Sequence, residues 1–362
     1  MENKKMETRR RIYDITEFPY SREITKRVTY PFFSLNKCTG GGEIGALNII
    51  FGKTNQGKSE VLMQFICHWI ETGEKVCAVL GEHTMRKAQA LFYKKVSYYD
   101  KNTWIKKSYG KDKDGKDFGI YDTFISEADE QKAIQFFKNN LFLYDTNCGL
   151  MLNDILLSYE EGLKQGCTVF VLDNAMMIDL ETTAELKEQS DNAEKLRQWA
   201  KRHRVCIYLV GHARKLEDVK RIRLTVYDLM GSSNTANKGT TIMYITNVND
   251  LNPTTKEYQD YAKLLELNFI DIHKCDAIME VIKEKNGKGG FVPLKWYEST
   301  KTFVEVYDVE MQKKKESYKQ QKLDFNKKES TKDDDEPDPI FWEGKQLVPL
   351  SKEEEESLHM PF

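Results

Sequence analysis

The sequence predicts an α/β chain built on a mostly parallel central sheet with helices on both faces. Three observations predict it. Short apolar runs alternate with longer stretches of helical apolar spacing, the pattern of strands joined by crossover helices. Four of those runs stop at Gly52, Glu82, Asp173 and His212, residues able to do chemistry at a strand end. The first run enters a glycine-containing loop over residues 52–59, after which apolar positions return at helical spacing.

That loop organises the chain. Leu47-Asn48-Ile49-Ile50-Phe51 is followed by Gly52-Lys53-Thr54-Asn55-Gln56-Gly57-Lys58-Ser59, a G-x-x-x-x-G-K-S pattern. Val61, Leu62, Phe65, Ile66, Trp69 and Ile70 then mark a helix. Strand, phosphate loop and helix is the reading. Phosphate oxygens need many donors at close range. Gly52 and Gly57 let the backbone turn with no Cβ in the way, so the amides of the loop, Thr54, Asn55 and Gln56 among them, can point inward. The helix opening at Lys58 adds its positive end. Lys58 is placed to reach the β and γ phosphates, and Ser59 to hold Mg²⁺.

Composition bounds the rest. The chain has 362 residues, 40% hydrophobic and 31% charged, which suits a soluble core with polar extensions. The first residues lack the apolar segment of a signal peptide, and no run is long enough to cross a bilayer. The seven cysteines are scattered, without a C-x-x-C pair, as expected for reduced thiols rather than disulfides or zinc. A cytoplasmic protein without a membrane partner is the expectation. The net charge of −2 conceals a division. Residues 329–362 hold 11 acidic residues against 3 Lys, a net −8, so the remainder is +6. A basic body fits a polyanion partner.

In order, residues 1–30 are polar and basic, broken by Pro19, and read as an arm or linker, either disordered or docked on a neighbouring subunit. The main domain is expected over 31–311. After the phosphate-loop helix come a buried strand over 75–81, a helix over 85–96, and a polar, aromatic excursion over 97–122. A helix over 128–139, a strand over 141–144 and a helix over 152–164 follow. Strands over 168–174 and 205–210 flank a long helix over 186–203. Strands over 241–246 and 277–283 precede a closing hairpin, 291–296 with 302–307. Residues 312–362, with Asp333-Asp334-Asp335-Glu336 and Glu353-Glu354-Glu355-Glu356, read as a disordered acidic tail.

Nucleotide hydrolysis needs more than a cradle: a metal anchor, a base for water, a sensor and a cation for the transition state. Asp173, closing a buried strand, suits the anchor. Glu82, at the end of another strand, suits the base, because ligands sit at the carboxyl ends of strands in open α/β sheets. His212 ends a third strand. Arg214, Lys215, Lys220, Arg221 and Arg223 follow it, five cations able to bind DNA phosphates or simply to face water.

At these residues the chain resembles the DnaB-type replicative helicases, with the phage hexameric and Twinkle helicases nearest in character. The matches run in family order: 52–59, Glu82 after a strand, Val-Leu-Asp-Asn-Ala-Met-Met (171–177), Gly-His-Ala-Arg-Lys (211–215), Tyr-Asp-Leu-Met-Gly-Ser-Ser (227–233), and Ile-Met-Glu-Val-Ile-Lys-Glu-Lys-Asn-Gly (278–287). The resemblance spans about residues 30–307. It implies a RecA-like P-loop NTPase fold, and ATP, dTTP or another NTP bound with Mg²⁺ by Lys58, Ser59 and Asp173. It also implies Glu82 as base, His212 as sensor, and loops after Asp173 and His212 holding single-stranded or forked DNA. The family works as a ring, usually a hexamer, with 5′–3′ polarity. With no primase-like zinc motif ahead of the motor, a separate primase is expected, and a phage enzyme acting in host cytoplasm.

Two departures stand out. The family usually has Lys-x-Arg where this chain has Lys283-Glu284-Lys285, and no Arg follows Arg223. Lysine is a point charge without the planar fork of arginine. Lys283 and Lys285 together, or an upstream Arg, are then expected to supply the cation to a neighbour's γ-phosphate. Met230 stands where many relatives have Arg. The tail ends Glu-Glu-Glu-Glu-Ser-Leu-His-Met-Pro-Phe, similar to tails that dock on replication partners, so primase or polymerase binding through Phe362 is an expectation beside simple solubilisation. A RecA-like recombination ATPase and a nucleotide-gated scaffold are the competing functions.

Overall fold

The fold follows from where the strand side chains point. The computed structural model describes residues 26–96, 104–106, 110–111, 113–115, 117–118, 121–123, 125–180, 184–213, 225–229, 233–268, 270–285, 287–297 and 300–306. All lie within one compact unit, 1–307; a second unit, 308–362, contains the expected acidic tail and lies outside the described residues.

The chain opens with β1 (Arg27–Val28), α1 (Phe33–Thr39) and β2 (Gly42–Glu43), then β3 (Leu47–Gly52) and α2 (Lys58–Glu71). Next come β4 (Val76–Leu80), α3 (Met85–Val96), and four short strands, β5 (Trp104–Lys106), β6 (Gly110–Lys111), β7 (Asp117–Phe118) and β8 (Tyr121–Thr123). α4 (Glu127–Phe137), β9 (Leu141–Leu143), α5 (Leu152–Lys164), β10 (Val169–Asp173), α6 (Glu185–His203) and β11 (Cys206–His212) follow. The chain continues through α7 (Ser233–Lys238), β12 (Thr241–Asn247), α8 (Lys256–Glu266), β13 (Ala277–Glu284), β14 (Gly290–Tyr297) and β15 (Thr302–Glu305).

Nine strands form one sheet in the order β15-β14-β13-β12-β3-β11-β10-β4-β9. From β12 to β9 all neighbours run parallel; β13, β14 and β15 extend the sheet antiparallel. Parallel strands need apolar residues on both faces, and these have them. Ile50, Val76, Ala78, Val169, Val171, Tyr208 and Val210 face one core, under α2, α3 and α4. Leu47, Ile49, Phe51, Val79, Phe170, Leu172 and Ile207 face the other, under α5 and α6. α2 seats Val61, Leu62, Phe65, Ile66 and Trp69 in the first core at i, i+3, i+4 spacing. Trp69 is fully buried, and its indole N–H donates to the Thr29 carbonyl at 2.8 Å.

The expected strands and long helices appear within a residue or two of their expected bounds. Three features depart from the sequence reading. The folded body reaches back before residue 31: β1 pairs with β2, and Val28 and Tyr30 are buried. Residues 1–25 of the expected arm lie outside the described residues. Within the 97–122 excursion, β5 pairs with β8 and β6 with β7, both antiparallel, although the segment carries no clear periodicity in sequence. α1, α7 and α8 were not anticipated. α7 (SNTANK) has no apolar stripe to read, whereas α8 seats Tyr261 and Leu265 at i, i+4 spacing in a cluster with Ile278 of β13.

Candidate nucleotide site

β3 delivers the chain into the phosphate loop. Gly52 lies against β12, where a Cβ would meet the Ile245 carbonyl at 2.7 Å. Asn55 and Gly57 hold left-handed φ of 61° and 86°. Gly57 is the residue before α2, and a side chain there would also strike the Phe303 ring. The spacing of the two glycines is thus set by backbone geometry. The first turn of α2 follows at once, with its amides free of intrahelical partners.

Lys58 sits at the centre of this loop. Its ammonium donates to the Gly52 carbonyl at 3.2 Å and to the Lys53 carbonyl at 2.7 Å. Burial lowers its pKa, while Asp173 and Glu82 act in the opposite sense. Gln56 has a bracing part that the sequence did not reveal. Its side chain donates to Asp250 at 2.8 Å and accepts from the Asn247 amide at 2.6 Å, tying the loop to the end of β12. Thr54 and Asn55 are exposed at the loop tip.

Asp173 closes β10 beside Leu80, the last residue of β4. It is 2% exposed, and the Ser59 hydroxyl hydrogen-bonds its carboxylate. Burial pushes its pKa up to about 6; Glu82 adds to the rise, and Ser59 and Lys58 oppose it. A hydroxyl and a carboxylate held together beside a lysine form a hard-oxygen pair that fits Mg²⁺.

Glu82 stands on the turn after β4, half exposed. The β4 and β10 ends are stitched by the Gly81 amide donating to the Asp173 carbonyl at 2.6 Å. Gly81 has no room for a side chain, because Met177 lies 2.9 Å from where a Cβ would sit. His212 ends β11 directly across from Gly52. Burial lowers its pKa, Lys58 lowers it further, and Glu82 raises it. The imidazole Nε2 is 3.7 Å from the Glu82 carboxylate.

Asn174 joins these two, and the sequence reading did not single it out. It is 2% exposed. Its Nδ2 donates to Glu82 Oε1 and lies 3.1 Å from His212 Nε2. Its Oδ1 accepts from the Met176 amide at 2.9 Å. The signal available in sequence was a polar residue directly after a strand-end carboxylate.

Lys58, Ser59, Glu82, Asp173 and His212, chosen from sequence, therefore converge at the carboxyl ends of β3, β4, β10 and β11. Lys283 and Lys285 do not join them. Thr241 pairs with both Glu284 and Asn48, so these lysines lie at the entry end of β3. The four residues from Asn48 to Gly52 put about 13 Å between them and the phosphate loop. The Lys283 ammonium donates to the Ala236 carbonyl at 2.8 Å, at the end of α7, and burial then Lys285 lower its pKa. Lys285 is exposed. Arg214, Lys215, Lys220, Arg221, Arg223 and Met230 lie outside the described residues. Ala213 and Leu229, which bracket the stretch holding all of these but Met230, pair. The ends of that stretch thus meet one residue beyond His212. Tyr227, 65% exposed, stands on the returning turn, which Thr225 and Asp228 cap.

No family model matches the sequence, and no characterised protein is similar to it by sequence. Solved structures are similar in fold. One is a DnaB-like replicative helicase described with its interactions with primase; it shares 14% identity at a TM-score of 0.59 over 78% of this chain. The chain shares the fold of that structure, a mostly parallel sheet with helices on both faces. A second is the ATPase domain of G40P, also 14% identical at a TM-score of 0.59 over 78% of this chain. The match covers 92% of the G40P domain but 64% of the DnaB-like helicase, so this chain spans less than two thirds of the latter. Among the described residues no helix is long and apolar enough to cross a membrane.

Proposed function

We propose that this chain is an NTP-hydrolysing DNA helicase motor that works as a ring. The observation that carries the reading is the convergence of Lys58, the Ser59–Asp173 pair, Glu82 and His212 at one end of four adjacent strands. In this reading the loop amides of 52–59 and Lys58 hold the triphosphate. Ser59 and Asp173 hold Mg²⁺, which when bound supplies positive charge to the phosphate oxygens. Glu82 accepts a proton from water as the water oxygen attacks the γ-phosphorus, and the bond to the β–γ bridging oxygen breaks. His212 senses the γ-phosphate and passes its state to the segment that begins one residue later. That segment, with Arg214, Lys215, Lys220, Arg221 and Arg223, holds single-stranded DNA by its phosphates.

Lys285 is the cation for a neighbouring subunit, because within one chain it lies far from Lys58, and Lys283 is engaged with α7. A primase and a polymerase are the proposed partners, reached through the tail. Phosphate release and fork unwinding by the parent and by Lys58→Ala test the reading. The parent should hydrolyse NTP, faster with single-stranded DNA, and separate a forked duplex; Lys58→Ala should do neither. Hydrolysis without strand separation would favour a recombination ATPase. Nucleotide binding without hydrolysis would leave a scaffold.

A further inference from the structure

We propose that Asn174 is a positioning residue that binds Glu82 and His212 into one unit, so that the base and the sensor change state together. The inference rests on the hydrolase reading above and adds a residue to it.

The amide of Asn174 has its orientation fixed from three sides. Oδ1 takes the Met176 amide, which leaves Nδ2 facing the site. The two N–H bonds of Nδ2 then go to Glu82 Oε1 and His212 Nε2. An amide nitrogen donates and does not accept, so His212 Nε2 must be the acceptor in this pair. The ring proton of His212 therefore sits on Nδ1. The tautomer of the sensor and the placement of the base are set by the same side chain.

Burial makes the arrangement demanding. Asn174 has almost no access to water, so a lost partner leaves a donor unpaired. If His212 turns toward a γ-phosphate, the Nδ2 bond to Nε2 breaks, and the amide loses one of the two contacts that hold it against Glu82. A base that is held by Asn174 can thus be released by the sensor. The titratable groups around the site are Glu82 after β4, Asp173 on β10, His212 on β11 and Lys58 on α2.

A second role competes with this one. Asn174 also caps the short turn over Ala175–Met177, and a cap alone would explain a polar residue here. Two substitutions separate the roles. Asn174→Asp keeps the shape and caps a turn as well as asparagine does, but has no N–H to give and sets a carboxylate against Glu82. Asn174→Ala removes both cap and donor. The expected result is a fall in kcat of about tenfold to a hundredfold in both variants, Asp at least as low as Ala, with nucleotide Kd and KM within about twofold of the parent. In a Glu82→Ala background, Asn174→Asp should change kcat by less than about twofold, since the two act as one unit.

A near-parental kcat for Asn174→Asp beside an impaired Asn174→Ala would reduce Asn174 to a cap and overturn the assignment. So would additive losses in the double variant, or nucleotide affinity falling in step with kcat. A parent protein that releases no phosphate would instead remove the hydrolase reading, and the assignment with it.

Discussion

The parallel half of the sheet and its antiparallel extension place the charged residues singled out from sequence at opposite ends. In the parallel half every crossover returns the chain to the same edge, so the exits of β3, β4, β10 and β11 gather Lys58, Glu82, Asp173 and His212. In the extension β13 runs back against β12 and carries Lys283 and Lys285 to the entry end. Both regions come from motifs that stand in one order along the sequence. Strand direction separates them, and a residue five positions from a motif's start can lie at the opposite end of the sheet from the phosphate loop. In the proposed ring, a neighbouring chain would then supply the cation that this end of the sheet lacks.

The comparison can be broken by experiment, and the largest effect belongs to the parallel half. Lys58→Ala should lower NTP hydrolysis by at least about a hundredfold, because one buried cation aimed at developing charge is removed. Phosphate release measures it; a loss under threefold would take Lys58 out of the site. Lys285→Ala should lower DNA-stimulated turnover by a smaller factor, about tenfold or more. The sharper form mixes subunits. Rings assembled from Lys58→Ala and Lys285→Ala chains should recover turnover above either alone, since one chain supplies the loop and its neighbour the cation. No recovery would place Lys285 outside the mechanism.

Asp173 gives a pH dependence with a defined sign. Its carboxyl is raised to about 6, mainly by burial, so it holds a proton below that value. Mg²⁺ must displace that proton. Metal affinity, read by titration calorimetry, should be flat above about pH 6 and weaken about tenfold per unit below it. Affinity independent of pH from 4.5 to 7, to order of magnitude, would mean another ligand holds the metal. The smallest effect belongs to the extension. Lys283→Met removes the hydrogen bond to α7 and should cost about 1 kcal/mol of stability, seen as a lower Tm, with nucleotide affinity unchanged.

Much of this was legible in sequence. The apolar runs fixed the strands because parallel strands buried on both faces carry unbroken Val, Ile and Leu. The two glycines of 52–59 announced a loop whose geometry admits nothing larger. The positions of Asp173, Glu82 and His212 at the ends of neighbouring strands were readable because each stands where an apolar run stops. Three things were not. Asn174 is one polar letter after Asp173, and its significance lies in a contact with residues 92 and 38 positions away. The bracing by Gln56 depends on Asp250, 194 positions away. The burial of Val28 and Tyr30 comes from pairing with β2 and packing on α2, tertiary facts that a basic, proline-broken segment hides.

The central claim is that Glu82 acts on a nucleotide held by Lys58 and its loop. Glu82→Gln tests it most directly, because the side chain keeps its shape and loses its basicity. Fluorescent-nucleotide binding should match the parent, while single-turnover phosphate release should fall by about a hundredfold or more. Release at the parental rate with binding intact would contradict the account.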